Sequence, residues 1–204
     1  MADIAFPTLT RSAPRDVEWG VLWNTQVHAS PLTQAVRTVE LPGARWQVVF
    51  KFGSLEEADA ALLQAHLMKL RGRVNRSLIM PWQRSQPRGT IAGTPLVAGA
   101  SQTGSTLAID GCTAGTTLKT GDFFMVGSGT DAELKMVTAD ATANGSGAMS
   151  VTFEPPLRAA PADNAAITTT NPTGRFMLAS DDVRWNTAPG KYSDFSLQFV
   201  EAFA

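Results

Sequence analysis

His28, His66 and Cys112 are the only histidines and the only cysteine in the 204-residue chain. An imidazole is a base and a metal ligand near neutral pH, and a cysteine thiolate is a nucleophile and a metal ligand. A structural zinc site needs about four such ligands, and neither histidine has a second His or a Cys near it in sequence, so the spacing does not point to metal. Cys112 stands between Gly111 and Thr113 with no base or cation close by, which suits a small packing residue at a turn. A lone cysteine forms no intrachain disulfide. No nucleophile-elbow pattern accompanies any serine. Gly127-Ser128-Gly129 and Gly145-Ser146-Gly147 lack the following Lys and helix of a phosphate cradle, so they read as turns. Asp181-Asp182 with Asp194 lack calcium-loop spacing and read as a solvated turn. Lys69, Arg71, Arg73 and Arg76, with Trp82 nearby as a stacking partner, offer a nucleic-acid hypothesis. Against it stands the commoner role of basic residues at a helix C-terminus, and of Arg at subunit interfaces. No enzyme or cofactor is expected.

The elements that would carry these residues are mostly strands. Glu18 to Val27 reads as one strand and Thr33 to Leu41 as another, closed by Pro42-Gly43. Arg45 to Phe52 alternates: Trp46, Val48, Phe50 and Phe52 share a face opposite Arg45, Gln47 and Lys51. Val49 is the apolar exception on the second face, which is therefore expected to be partly covered or to touch another subunit. A helix is expected over 55–71, with Ser54 as N-cap, Glu57 completing a capping box, and Leu55, Ala58, Leu62 and Ala65 as its apolar stripe, broadened by Leu63, Leu67 and Leu70. Gly72 would supply the left-handed residue beyond it. Leu78 to Trp82, Arg175 to Leu178, Asp182 to Trp185 and Asp194 to Phe203 complete the strands, with Glu201 interrupting the last apolar face.

All five tryptophans avoid the middle: Trp19, Trp23, Trp46 and Trp82 precede it and Trp185 follows. Ala92 to Pro172 is rich in Thr, Ser, Gly and Ala and holds seven acidic residues against three basic ones. Its candidate strands are Thr106 to Asp110, Asp122 to Val126, Glu133 to Thr138, Met149 to Glu154 (ended by Pro155-Pro156) and Ala166 to Thr170. The expected fold is mainly β: a β-sandwich from 1–91 and 173–204 with one flanking α-helix, and a small β-barrel inserted at 92–172. Hydrophobic residues make up 44 % and charged residues 17 %, and the net charge is -1, which suits a globular core and gives no global basic field for nucleic acid. No run approaches the ~20 apolar residues of a membrane span, and the N-terminus lacks the pattern of a secretory signal.

The order of short motifs resembles the distal tail proteins of long, non-contractile-tailed bacteriophages. The motifs are a Trp-bearing first strand, Asn-Thr-Gln-x-x-x-Ser-Pro-Leu (Asn24 to Leu32), Pro-Gly-x-Arg-Trp (Pro42 to Trp46) and Leu-Arg-Gly (Leu70 to Gly72). Within the middle come Leu-Lys-x-Gly-Asp-Phe-Phe (Leu118 to Phe124), Met-Val-Thr-Ala-Asp-Ala (Met136 to Ala141) and Pro-Pro-Leu-Arg (Pro155 to Arg158). The resemblance covers nearly the whole chain. It implies a tail-tube-like sandwich, an OB-like insert, and a homohexameric ring at the tail tip of the virion, made in the host cytoplasm. The implied partners are the tail tube protein and the tail-tip hub, with the tape measure protein and fibres beyond, and a lumen that passes DNA without specific binding. Candidate subunit-interface residues are Arg45, Val49, Lys51, Arg71, Arg73 and Arg76. The second reading is a binding module whose barrel takes carbohydrate or single-stranded nucleic acid.

Overall fold

The computed structural model describes residues 1–203, so Ala204, the end of the expected 173–204 segment, lies outside the described residues. The chain is β-rich with a single α-helix, as its alternating apolar runs imply. In order it forms β1 (Asp3–Ala5), β2 (Asp16–Leu22), β3 (Thr25–Ala29), β4 (Val36–Glu40), β5 (Arg45–Leu55), α1 (Glu57–Leu70), β6 (Arg76–Ile79), β7 (Gly93–Val97), β8 (Gly104–Cys112), β9 (Thr117–Leu118) and β10 (Phe123–Val126). There follow β11 (Glu133–Val137), β12 (Ala141–Thr142), β13 (Met149–Leu157), β14 (Ile167–Thr168), β15 (Gly174–Leu178), β16 (Trp185–Thr187) and β17 (Ser193–Glu201).

One sheet runs β1-β6-β15-β17-β5-β2, with β16 added on β17. Strand β17 lies antiparallel to β5, with Phe195 opposite Phe52, Leu197 opposite Phe50 and Phe199 opposite Val48. These side chains form a core with Leu63, Leu67 and Leu70 of α1, each fully buried Leu or Phe contributing about 1.5–3 kcal/mol. A second sheet runs β14-β10-β11-β13-β8-β7. A bridge between Leu96 and Ala166 joins its two ends, and Val97 N–H donates to Ala165 at 3.0 Å, so the sheet nearly closes into a barrel around Leu107, Phe124, Val151 and Phe153. The chain leaves the first sheet after β6 and returns to it at β15.

The two cores share a wall. Period-two alternation sends Phe123, Leu134 and Met136 of β10 and β11 into the first core, and Phe124, Val126 and Val137 into the barrel. Trp46 donates its indole N–H to Leu134 O at 2.9 Å across that wall. Arg175 clamps Asp3 through Nε and Nη2 (3.1 and 2.9 Å) and donates from Nη1 to Thr130 O at 3.0 Å. It thereby ties β1, β15 and a barrel turn together. Buried Asp122 accepts from the backbone N–H groups of Arg88, Gly89 and Lys119 at 2.7, 3.0 and 2.8 Å, pinning the entering segment to the barrel.

Several local expectations fail for physical reasons. Ser54 is not the N-cap: it is the penultimate residue of β5, at φ 56, whereas an N-cap residue is extended. Its N–H donates to Asp194 Oδ1 at 2.7 Å. The helix starts at Glu57 after Glu56, with no side-chain cap. Its buried face is Asp59, Ala60, Leu63, His66, Leu67 and Leu70; Ala58, Leu62 and Ala65 are exposed, and Leu55 plugs the core from β5 instead. The left-handed turn beyond the helix begins at Arg71 and continues through Gly72. A side chain at Gly72 would place its Cβ 2.5 Å from Asp181 Oδ1. Pro155-Pro156 do not end their strand: β13 runs through both to Leu157, and the ladder register shifts between Thr152 and Leu157, so neither proline has to donate. The expected strand from Glu18 to Val27 breaks at Trp23-Asn24, and β3 leaves the sheet. The parallel strand β1 and the sixth barrel strand β7 carry no signal read in the sequence.

Candidate functional site

Strands β3 and β4 form a two-stranded ribbon that pairs only with itself, from Thr25 opposite Glu40 to Ala29 opposite Val36. All ten of its residues are exposed. An isolated ribbon is marginal in water, yet this arm displays apolar side chains: Val27 and Val36 are about 60 % exposed and Leu32 at its tip is 93 % exposed. Trp23 and Leu41 at its base are also exposed. Asn24 fixes that base, its N–H₂ donating to Pro42 O at 2.8 Å. Exposed apolar groups gathered on one projecting element mark an interaction site.

At the foot of the arm lies a groove of about 710 Å³ lined by Leu41, Pro42, Pro156, Leu157, Arg158 and Phe203. Behind it sits a charged network with little access to water. Glu201 accepts from Trp46 N–H at 3.0 Å and pairs with Arg158 Nη2 at 2.5 Å, a contact close in distance but out of hydrogen-bond alignment. The Arg158 guanidinium lies 3.5 Å from the centre of the Phe203 ring, and that of Arg45 4.8 Å from it. Lys135 is fully buried, 2.6 Å from Glu133, and donates to Pro156 O at 2.8 Å. Burial pulls the Lys135 ammonium below its ordinary range, and Glu133 opposes the shift. Glu201, read as a break in an apolar face, is thus the hub of this network.

The six expected interface residues scatter. Arg45 stacks on Phe203 beside the groove. Val49 is half-buried and shares a shallow pocket with Val183 and Gln198 of its own chain. Lys51 pairs with Asp16 at 3.2 Å and with Glu18, and both raise its pKa. Arg71 is exposed. Arg73 receives backbone fixing from Asp181 at 2.9 Å and donates to Ala179 O. Arg76 is buried and donates to Arg73 O at 2.7 Å; it is not an open interface residue. With Arg73 and Arg76 consumed internally and Trp82 packed on the first core, the cluster is not a free basic patch.

The remaining chemistry-bearing residues are dispersed. His28 lies on the exposed arm. His66 is buried, 3.0 Å from Ser77 Oγ, with its pKa lowered to about 4 by burial and by Lys69. Burial pushes the Cys112 thiol up, with Asp110 adding to the effect. Asp181 holds Arg73 N–H, Asp182 pairs with Arg184 at 2.7 Å, and Asp194 holds Ser54 N–H. Gly145 to Gly147 form a turn around Asn144, whose Oδ1 accepts from Ser146 and Ala148 N–H at 2.9 and 3.0 Å. Among the described residues no three His, Cys, Asp or Glu gather as a metal site, and no helix is long and apolar enough to cross a membrane. No family model matches the chain, and no curated protein matches it.

Proposed function

We propose that the chain is a structural subunit that assembles with copies of itself into a closed ring, the homohexameric adaptor at the distal end of a long, non-contractile phage tail. The observation that carries the assembly reading is the arm, an unpartnered ribbon with bare apolar side chains beside an apolar groove. Its assignment to a phage tail rests on the order of motifs that resembles the distal tail family. In this reading one ring face meets the tail tube and the other the tip hub with its fibres, and DNA passes the lumen without specific contacts. A ring needs a heterologous interface that closes on rotation, and the tip of the projecting arm and the groove at its foot supply two different surfaces for it. The carbohydrate or single-strand reading of the barrel finds less support, because the Phe124 and Phe153 rings pack edge to face in the barrel core and offer no stacking platform. Native mass spectrometry of the full chain, with tail tube protein added in a second arm of the experiment, tests the proposal: closed oligomers that cap tube ends are expected, and a chain that ignores tube protein would overturn the adaptor role.

A further inference from the structure

The tip of the arm and the groove lie at opposite ends of the β3-β4 ribbon. Five paired residues hold the tip about 17 Å from the base, so Leu32 cannot reach the groove at the foot of its own arm. A second copy can. We infer that the arm of one copy docks tip-first into the groove of the next, with Leu32 against Leu41, Pro156, Leu157 and Phe203. The inference rests on the ring reading and names its interface.

Charge complementarity supports a second copy as the occupant. The tip, Ser30 to Gln34, is uncharged, and Arg158 in the groove is already matched by Glu201, so burying one in the other strands no charge. Beside the tip, Arg37 is exposed and makes no ion pair among the described residues. Glu40, which lines the groove, is likewise exposed and unpaired. Standing three apart on β4 they face opposite sides of the ribbon and cannot satisfy one another. In the tip-to-groove arrangement Arg37 of one copy comes to the groove rim where Glu40 of the next copy stands. Each copy gives one tip and accepts one, which is the head-to-tail contact that closes a ring.

The test uses the full chain. Native mass spectrometry is run on the unaltered protein, on Leu32→Asp, on Arg37→Glu, on Glu40→Arg and on the Arg37→Glu/Glu40→Arg double variant, with circular dichroism and thermal melting as the check on folding. The expected result is an oligomer that Leu32→Asp reduces to folded monomer. Each charge reversal should weaken it at least tenfold, and the double reversal should restore it. A Leu32→Cys/Ser105→Cys variant should give a ladder of disulfide-linked oligomers on a non-reducing gel, and either single cysteine no ladder. An oligomer untouched by Leu32→Asp, with no ladder, overturns this interface and leaves the ring reading standing. A chain that is monomeric at every concentration overturns both.

Discussion

His66 shows how a residue that could do chemistry is instead a stability element. Buried beside Phe6 and bonded to Ser77, it is held neutral, with its pKa lowered from 6.5 to about 4. The unfolded chain takes the proton first, so folding stability is complete above pH 6.5 and falls as pH drops toward 4, by roughly 3 kcal/mol in all. Urea unfolding at pH 7 and pH 4.5 measures this, and His66→Gln flattens the difference. Carboxylates add a lower limb. Asp59, lowered by the Thr10 N–H first and then by Arg11 N–H and neighbouring hydroxyls, and Asp140, lowered to about 2 by Lys119 and Thr120, stabilise the fold above the unfolded carboxylate range. They lose that contribution as pH falls through their folded values. At the seam, Glu201→Ala leaves Arg158 without its carboxylate and Trp46 N–H without an acceptor, and is expected to cost about 3–5 kcal/mol in denaturant unfolding. The sequence pattern exposed Glu201 as an anomaly on an apolar strand, but its partner lies 43 residues earlier, beyond any local signal.

At the scale of elements, the strands with clean alternation were legible and the ones lacking it were not. Trp46, Val48, Phe50 and Phe52 face the core as read, because one face of β5 is wholly apolar. The helix was legible as a helix and Leu63, Leu67 and Leu70 are buried as read, but its face was centred on the wrong residues, since Ala58, Leu62 and Ala65 form as continuous a stripe as Ala60, Leu63, Leu67 and Leu70. Tertiary packing chose the second. Leu63→Ala is therefore expected to cost about 2–5 kcal/mol and Leu62→Lys under about 0.5 kcal/mol in the same measurement. The arm was legible by half: β4 falls within the expected strand Thr33 to Leu41, whereas β3 was merged with β2 into one strand because no Gly or Pro marks the departure at Trp23-Asn24. Replacing residues 27–38 with Asn-Gly, which suits a two-residue turn between Gln26 and Val39, is expected to leave the melting temperature unchanged and to abolish self-association. Differential scanning calorimetry and light scattering check the two outcomes.

At the scale of the whole molecule, the change in composition between the middle and its flanks marked two differently built parts, but it did not reveal how they join. Phe123 and Phe124 are neighbours in sequence and belong to different cores; a run of apolar residues carries no label for which side each neighbour serves. Because β10 and β11 line both cores, a fragment of residues 92–172 alone would expose Phe123, Leu134 and Met136, and is expected to aggregate where the full chain does not, as light scattering would register. The shared wall makes the molecule a stiff base from which the arm projects, and assembly through that arm is the claim on which the functional account stands. Negative-stain electron microscopy of the purified full chain tests it most directly. The account predicts rings of six copies around a central opening; a field of single, unassembled particles at high protein concentration would contradict it.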